Sequence, residues 1–222
     1  PKGKFLLEGV LDTKNQVIEM DRMVLNTPKG RVEGQATVLM TTGKPHLKLN
    51  LAVPAIPVDE FKQFWPSIFA TKARTWVDEN VTGGDIKDAW VKLDFPPGLM
   101  GQDINYKPEN ITAAIPISNT VIKSPDELPA IAQADGIVEV LGNHTNVWIS
   151  KGRADLGSYG GIDIGKSSMQ MGNYAVPITP AELNLELSGP ASAMVRLAAL
   201  EPLSYEGKNR LDAGSCFIYQ PV

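Results

Sequence analysis

Three side-by-side carboxylate pairs, Asp59-Glu60, Asp78-Glu79 and Asp126-Glu127, come nearest to catalytic groups in this chain. Glycoside hydrolysis needs two carboxyls flanking one bond, and sequence neighbours point to different faces. Each pair also adjoins an expected helix start, helix end or turn, where acids cap or stay solvated. The two histidines, His46 and His144, have no second ligand at metal spacing, so no metal site is expected. The single thiol, Cys216, sits in the apolar stretch Ser215-Cys216-Phe217-Ile218 and reads as a small buried hydrophobe rather than a nucleophile. No nucleophile elbow or phosphate-cradling loop appears, and the glycines from Gly157 to Gly165 read as tight turns. The expectation is no catalysis and no cofactor.

Aromatic and basic residues could instead bind. Trp65, Trp76, Trp90 and Trp148 are candidate sugar-stacking platforms, which would make a carbohydrate-binding β domain. Trp65 and Trp76 fit a helix core better, the facing of Trp90 is open, and Trp148 reads as partly exposed. Arg74 could meet an anionic head group or pair with Asp78 four residues on. A net charge of −4 argues against nucleic acid, which needs a basic stripe.

The elements that hold these residues are mostly strands. Lys4–Asp12, Gln16–Leu25 and Arg31–Met40 read as three in succession, with turns at Thr13-Lys14-Asn15 and Thr27-Pro28-Lys29-Gly30. His46–Val53 alternates most clearly: Leu47, Leu49, Leu51 and Val53 point one way, His46, Lys48, Asn50 and Ala52 the other. Strand patterns resume over Asp85–Phe95, Ile111–Lys123, Asp135–Leu141 and Thr145–Lys151, then in shorter pieces to Met171, and Leu99–Glu109 reads as a mobile loop. One stretch breaks the rule. Phe69, Ala73, Trp76 and Val77 form a helical apolar stripe, with Gly83-Gly84 expected to end that helix. A second helix, Ala191–Leu200, opens after Pro190. The fold expected is mainly β, a twisted antiparallel meander with two short helices packed on or capping the sheet.

An internal repeat is visible. Leu47-x-Leu49-x-Leu51-x-x-Pro54 recurs as Leu183-x-Leu185-x-Leu187-x-x-Pro190, 136 residues on, and Pro66 recurs as Pro202. Arg22, Leu25, Gly30 and Gly34 match Arg153, Leu156, Gly161 and Gly165 at 131. The organisation expected is a partial first β-repeat unit with its closing segment (1–66), a capping helix (67–84), a second unit with a closing helix (85–203), and a further strand unit or tail (204–222). The chain starts at Pro1 without a methionine and reads as a piece of something longer.

Trp65-Pro66, then Ala73-Arg74-x-Trp76-Val77-Asp78-Glu79-Asn80, then Gly83-Gly84-Asp85-Ile86-x-Asp88-Ala89 resembles the hallmark segment of the AsmA-like proteins, in particular the large YhdP-type members of the Gram-negative envelope. The resemblance spans most of the chain, and Trp65, Pro66, Arg74, Trp76 and Gly84 carry it as structural positions. It implies a β-groove with a hydrophobic lining, in a periplasmic protein anchored in the inner membrane through segments outside this chain and linked to phospholipid traffic towards the outer membrane. The leucines Leu47, Leu49, Leu51, Leu183, Leu185 and Leu187 are the sequence-evident candidates to line such a groove against acyl chains. The competing reading makes them dry core under the Trp76 and Met194 helices, in a structural or protein-binding module.

Overall fold

A computed structural model describes residues 3–41, 43–65, 71–100, 105–124, 127–171, 181–200 and 203. Four long antiparallel strands come first: β1 (Lys4–Asp12), β2 (Val17–Asn26), β3 (Arg31–Thr41) and β4 (Lys44–Pro57). Two short helices follow, α1 (Val58–Phe64) and α2 (Thr71–Asn80), then a two-residue strand β5 (Val81–Thr82). The sheet resumes with β6 (Asp85–Phe95), β7 (Ile111–Ile122), β8 (Ile131–Leu141) and β9 (His144–Asp155). A 3-10 turn at Gly157–Tyr159 leads to β10 (Gly161–Ile164), β11 (Ser167–Met171), β12 (Ala181–Asn184), β13 (Leu187–Ser188) and helix α3 (Ala191–Ala198). The described strands make one 13-stranded sheet, ordered β1-β2-β3-β4-β6-β7-β8-β9-β10-β13, with β11 and β12 continuing beside β9 and β5 beside β7. The expected antiparallel meander is what forms.

The sheet does not run straight. Between β6 and β9 each pairing carries a register shift, and three non-glycine residues there take left-handed backbone: Asp88, Asn119 and Gln133. Such bulges bend a strand and increase its twist. They also reset the side-chain alternation, so that Ile86 and Ala89, three apart, are both buried, as are Ile117 and Thr120. Asp135 staples this line. Its carboxylate accepts the Asn119 N–H (2.8 Å) and pairs with Lys151 (2.8 Å), and its carbonyl accepts the Ser150 hydroxyl (3.1 Å).

Two strand pairings carry the offsets of the sequence matches. Val38 faces Leu47 across β3 and β4, and Met169 faces Leu183 across β11 and β12, which reproduces the offsets of 131 and 136. The likeness also reaches one strand further than the sequence matches did. Glu8-Gly9 opposite Arg22 recurs as Asp135-Gly136 opposite Lys151, each with a register shift inside the acid–glycine step. Lys151 thus stands opposite Asp135 as Arg22 stands opposite Glu8, while Arg153 pairs with Asp163 at 2.7 Å. The proline match also moves: α1 and α3 start after Pro57 and Pro190, both in the same extended backbone, so Pro190 corresponds to Pro57 rather than Pro54.

Among the described residues three helices form where two were expected. Trp65 is extended (ψ 116°), because a residue before proline is pushed out of helical backbone, and this ends α1. Gly83 and Gly84 are left-handed as expected, but β5 stands between them and α2, so they turn β5 into β6 instead of ending the helix. Phe61, Phe64 and Val77 pack on Val53, Ile56, Val58, Val81, Ile86, Ala89 and Ile117, a cluster at the bulged end of the sheet. A second cluster, Ala134, Ile149, Ala154 and Ile164, takes Leu187 against it. The Leu99–Glu109 loop, read as mobile, is tied in its described part. Tyr106 stacks tilted on Phe95 (5.2 Å) and its carbonyl accepts the Asn143 N–H, while buried Asn110 donates to Asp94 O.

Candidate functional site

Residues directly opposite in an antiparallel sheet share a face, so the register identifies what each face carries. One row runs Leu7, Met23, Gly34, Leu51, Val91, Ala113, Val140 and Thr145 across eight strands. A second runs Gly9, Met20, Ala36, Leu49, Leu93 and Ile111. A third runs Ile115, Val138, Val147, Met169 and Leu183. Thr145 is the single polar residue in the three rows. Ten strands at about 4.8 Å spacing carry this apolar face over roughly 40 Å.

The face is not packed away. Leu47, Leu49, Leu51, Val91, Leu93, Val138, Val140 and Val147 are each half-buried, and none of them belongs to either buried core cluster of the described residues. The helices α1 and α2 cluster instead on Val53, Ile56, Ile86 and Ala89, beyond the leucine ladder, and α3 packs against β10. The competing reading laid the Trp76 and Met194 helices over these leucines; among the described residues the helix-packed cluster holds Val53 and Ile56 of β4 and not Leu47, Leu49 or Leu51. Leu187 differs: it faces Ile164 and joins the second core cluster. Leu183 and Leu185 are exposed.

The opposite face is wet. Lys48, Asn50, Lys92 and Asp94 lie on it, with His46 hydrogen-bonded to Asp94 at 2.6 Å. Burial alone would raise the Asp94 pKa, but the His46 hydrogen bond and the Lys48 charge outweigh it and hold the carboxyl below its ordinary value. Trp90 and Trp148 also stand exposed there. The Lys92 ammonium lies over the Trp90 ring at 5.4 Å, and the Trp148 indole donates to Glu139 at 3.1 Å.

The motif residues separate. Trp65 is half-buried, edge-on to Phe61 at 6.0 Å. Trp76, expected in a helix core, is 43% exposed, because Val77 takes the inward position of α2. Arg74 pairs with Asp78 at 3.6 Å, the expected i,i+4 geometry. Gly84 is fixed by sterics: a Cβ there would meet the Ser118 carbonyl, and its own carbonyl accepts the Val58 N–H at the start of α1. Pro66 and Phe69 lie outside the described residues, as does Asp126. Of the acidic pairs, Asp59 accepts the Gly83 N–H, as a turn residue would. Glu60 departs from the solvated reading: it is 9% exposed in the first turn of α1, and its Oε2 has no hydrogen-bond partner.

Sequence reasoning named the leucines of β4 but not their partners Val91, Leu93, Val138, Val140 and Val147. The alternation in β6, β8 and β9 was present, but which parity faces which depends on bulges that no local pattern announces. Among the described residues, no three metal-ligating side chains gather. No described helix is long and apolar enough to cross a membrane. No protein-family model, curated protein or solved structure matches the chain.

Proposed function

We propose that this chain is a non-enzymatic, lipid-handling segment of a Gram-negative envelope protein, holding phospholipid acyl chains against its apolar sheet face. The observation that carries the reading is the set of three apolar rows left half-open along the sheet, with the helices gathered beyond them. Each methylene moved from water onto such a face contributes about 0.8 kcal/mol. The face extends over roughly 40 Å, more than the about 15 Å half-thickness of a bilayer core, so it has room for acyl chains along its length. A sheet with one apolar and one charged side keeps such cargo away from water without any catalytic residue. The AsmA-like resemblance supports the same assignment and its setting, a periplasmic protein anchored in the inner membrane by segments outside this chain and serving outer-membrane lipid homeostasis.

The test is direct. Lipid mass spectrometry of the gently extracted protein is expected to find phospholipid, and a phospholipid with a fluorescent acyl chain is expected to bind the purified chain. Leu49→Glu and Leu51→Glu are expected to weaken the probe about tenfold or more, the loss of roughly two methylene contacts. Lys48→Glu, on the wet face, is expected to leave it unchanged. Protein that carries no lipid, and binds the probe no worse with glutamates in the ladder, would leave a structural or protein-binding module instead.

A further inference from the structure

The wet face carries an apolar strip that lipid binding does not use. Within β6–β9 the exposed large apolar side chains are Trp90 (37%), Ile137 (41%) and Trp148 (42%), and the register puts all three on that face. Trp90 lies opposite Ala114, which lies opposite Glu139. Pro116 lies opposite Ile137, which lies opposite Trp148. The strip therefore crosses four strands, with an indole at each end and the low side chains Ala114 and Pro116 between. Three strand spacings of about 4.8 Å separate the indoles by roughly 14 Å.

Each indole is anchored and left open. The Trp148 N–H donates to Glu139 on the next strand (3.1 Å), which ties the ring towards β8. Trp90 stands between Ala52 and Ala114 in its row, both too short to cover it, and the Lys92 ammonium lies over its ring at 5.4 Å. A ring face that attracts a cation attracts the polarised C–H groups of a ligand through the same quadrupole. Hydrogen-bonding groups of both kinds line the strip: the Glu139 carboxylate, the Lys92 ammonium, and the Asn146 amide opposite Glu139.

We propose that Trp90 and Trp148 are the two stacking platforms of a glycan-binding strip, which holds a linear, uncharged oligosaccharide across β6–β9. A sugar ring offers what the strip takes, a C–H face for an indole and a rim of hydroxyls that donate and accept. Other ligands fit it less well. An acyl chain leaves Glu139, Lys92 and Asn146 without partners, and a polyanion meets the Glu139 carboxylate in mid-strip. A single quaternary ammonium needs its aromatic walls within about 6 Å, and these two stand roughly 14 Å apart. A chain of sugars reaches both. This inference is independent of lipid binding, which uses the opposite face.

Titration calorimetry of the full chain against chitohexaose, cellohexaose and maltohexaose tests it. At least one is expected to bind, and Trp90→Ala and Trp148→Ala are each expected to weaken it about fivefold or more. Glu139→Gln, which keeps an acceptor for the indole, is expected to cost less than Glu139→Ala. Leu49→Glu, on the opposite face, is expected to leave sugar binding unchanged. A second measurement needs no variant: bound sugar is expected to shield Trp90 and Trp148 of the wild-type chain from N-bromosuccinimide, read by peptide mass spectrometry. Trp76, exposed on α2, is expected to oxidise as before. Silence across the three sugars, affinity unchanged in both alanine variants, or equal shielding of Trp76 overturns the proposal. A proline-rich peptide that binds where no sugar does would assign the strip to a polypeptide instead.

Discussion

Asp135 shows how much one side chain can hold. The Lys151 hydrogen bond and then the Asn119 N–H keep its carboxyl below its ordinary pKa, against a smaller opposing effect of burial. A carboxyl lowered on folding stabilises above its unfolded pKa, near 3.9, and that contribution is lost as pH falls through the folded value. Asp135→Asn is therefore expected to lower stability at pH 7 and to flatten the decline below about pH 4, read by urea midpoints across pH. An unchanged acid slope would detach Asp135 from the bulge line. The glycine beside it is constrained differently: a methyl at Gly136 would run into the Trp148 carbonyl, as one at Gly9 would into Glu19. Gly136→Ala is expected to cost about 1–3 kcal/mol, because neither strand can move away without breaking its ladder.

Strands and helices divide the work of burial unequally. Ile56 is 1% exposed under α1, whereas Leu49 sits half-open in the middle of the ladder. Ile56→Ala is expected to cost about 2–5 kcal/mol, a core truncation with its cavity. Leu49→Ala is expected to cost only about 1 kcal/mol, since roughly half of a leucine's transfer energy is at stake. Equal losses by denaturant titration would mean that the leucine ladder is packed after all. Strand positions were legible from alternation, most clearly in β4, where the leucines face one way and the charges the other. Helix bounds were less so: the stripe through Trp76 and Val77 has helical spacing, but spacing does not say which of two adjacent apolar residues turns inwards.

The molecule as a whole is a long bent sheet with helices gathered at the bulged end and beside β10, leaving an apolar face to be filled. If phospholipid fills it, the filled form gains stability by mass action, about 2.7 kcal/mol at a hundredfold excess over Kd. Phospholipid vesicles or short-chain phospholipid are then expected to raise the Tm of the wild-type chain and not that of Leu49→Glu. A Tm indifferent to lipid in both would count against the proposed cargo. The apolar character of the face was readable strand by strand, and its continuity across ten strands was not.

Alternation and turn residues were enough to read an antiparallel meander, because they depend on contacts a few residues apart and on the period of a strand. What closes over what was decided only in three dimensions. The left-handed residues at Asp88, Asn119 and Gln133 change which parity faces inwards, and Trp65 ends α1 at Phe64. Bulge positions and helix docking arise from pairings across dozens of residues. Whether Leu49 is core or open wall was therefore left to the tertiary structure.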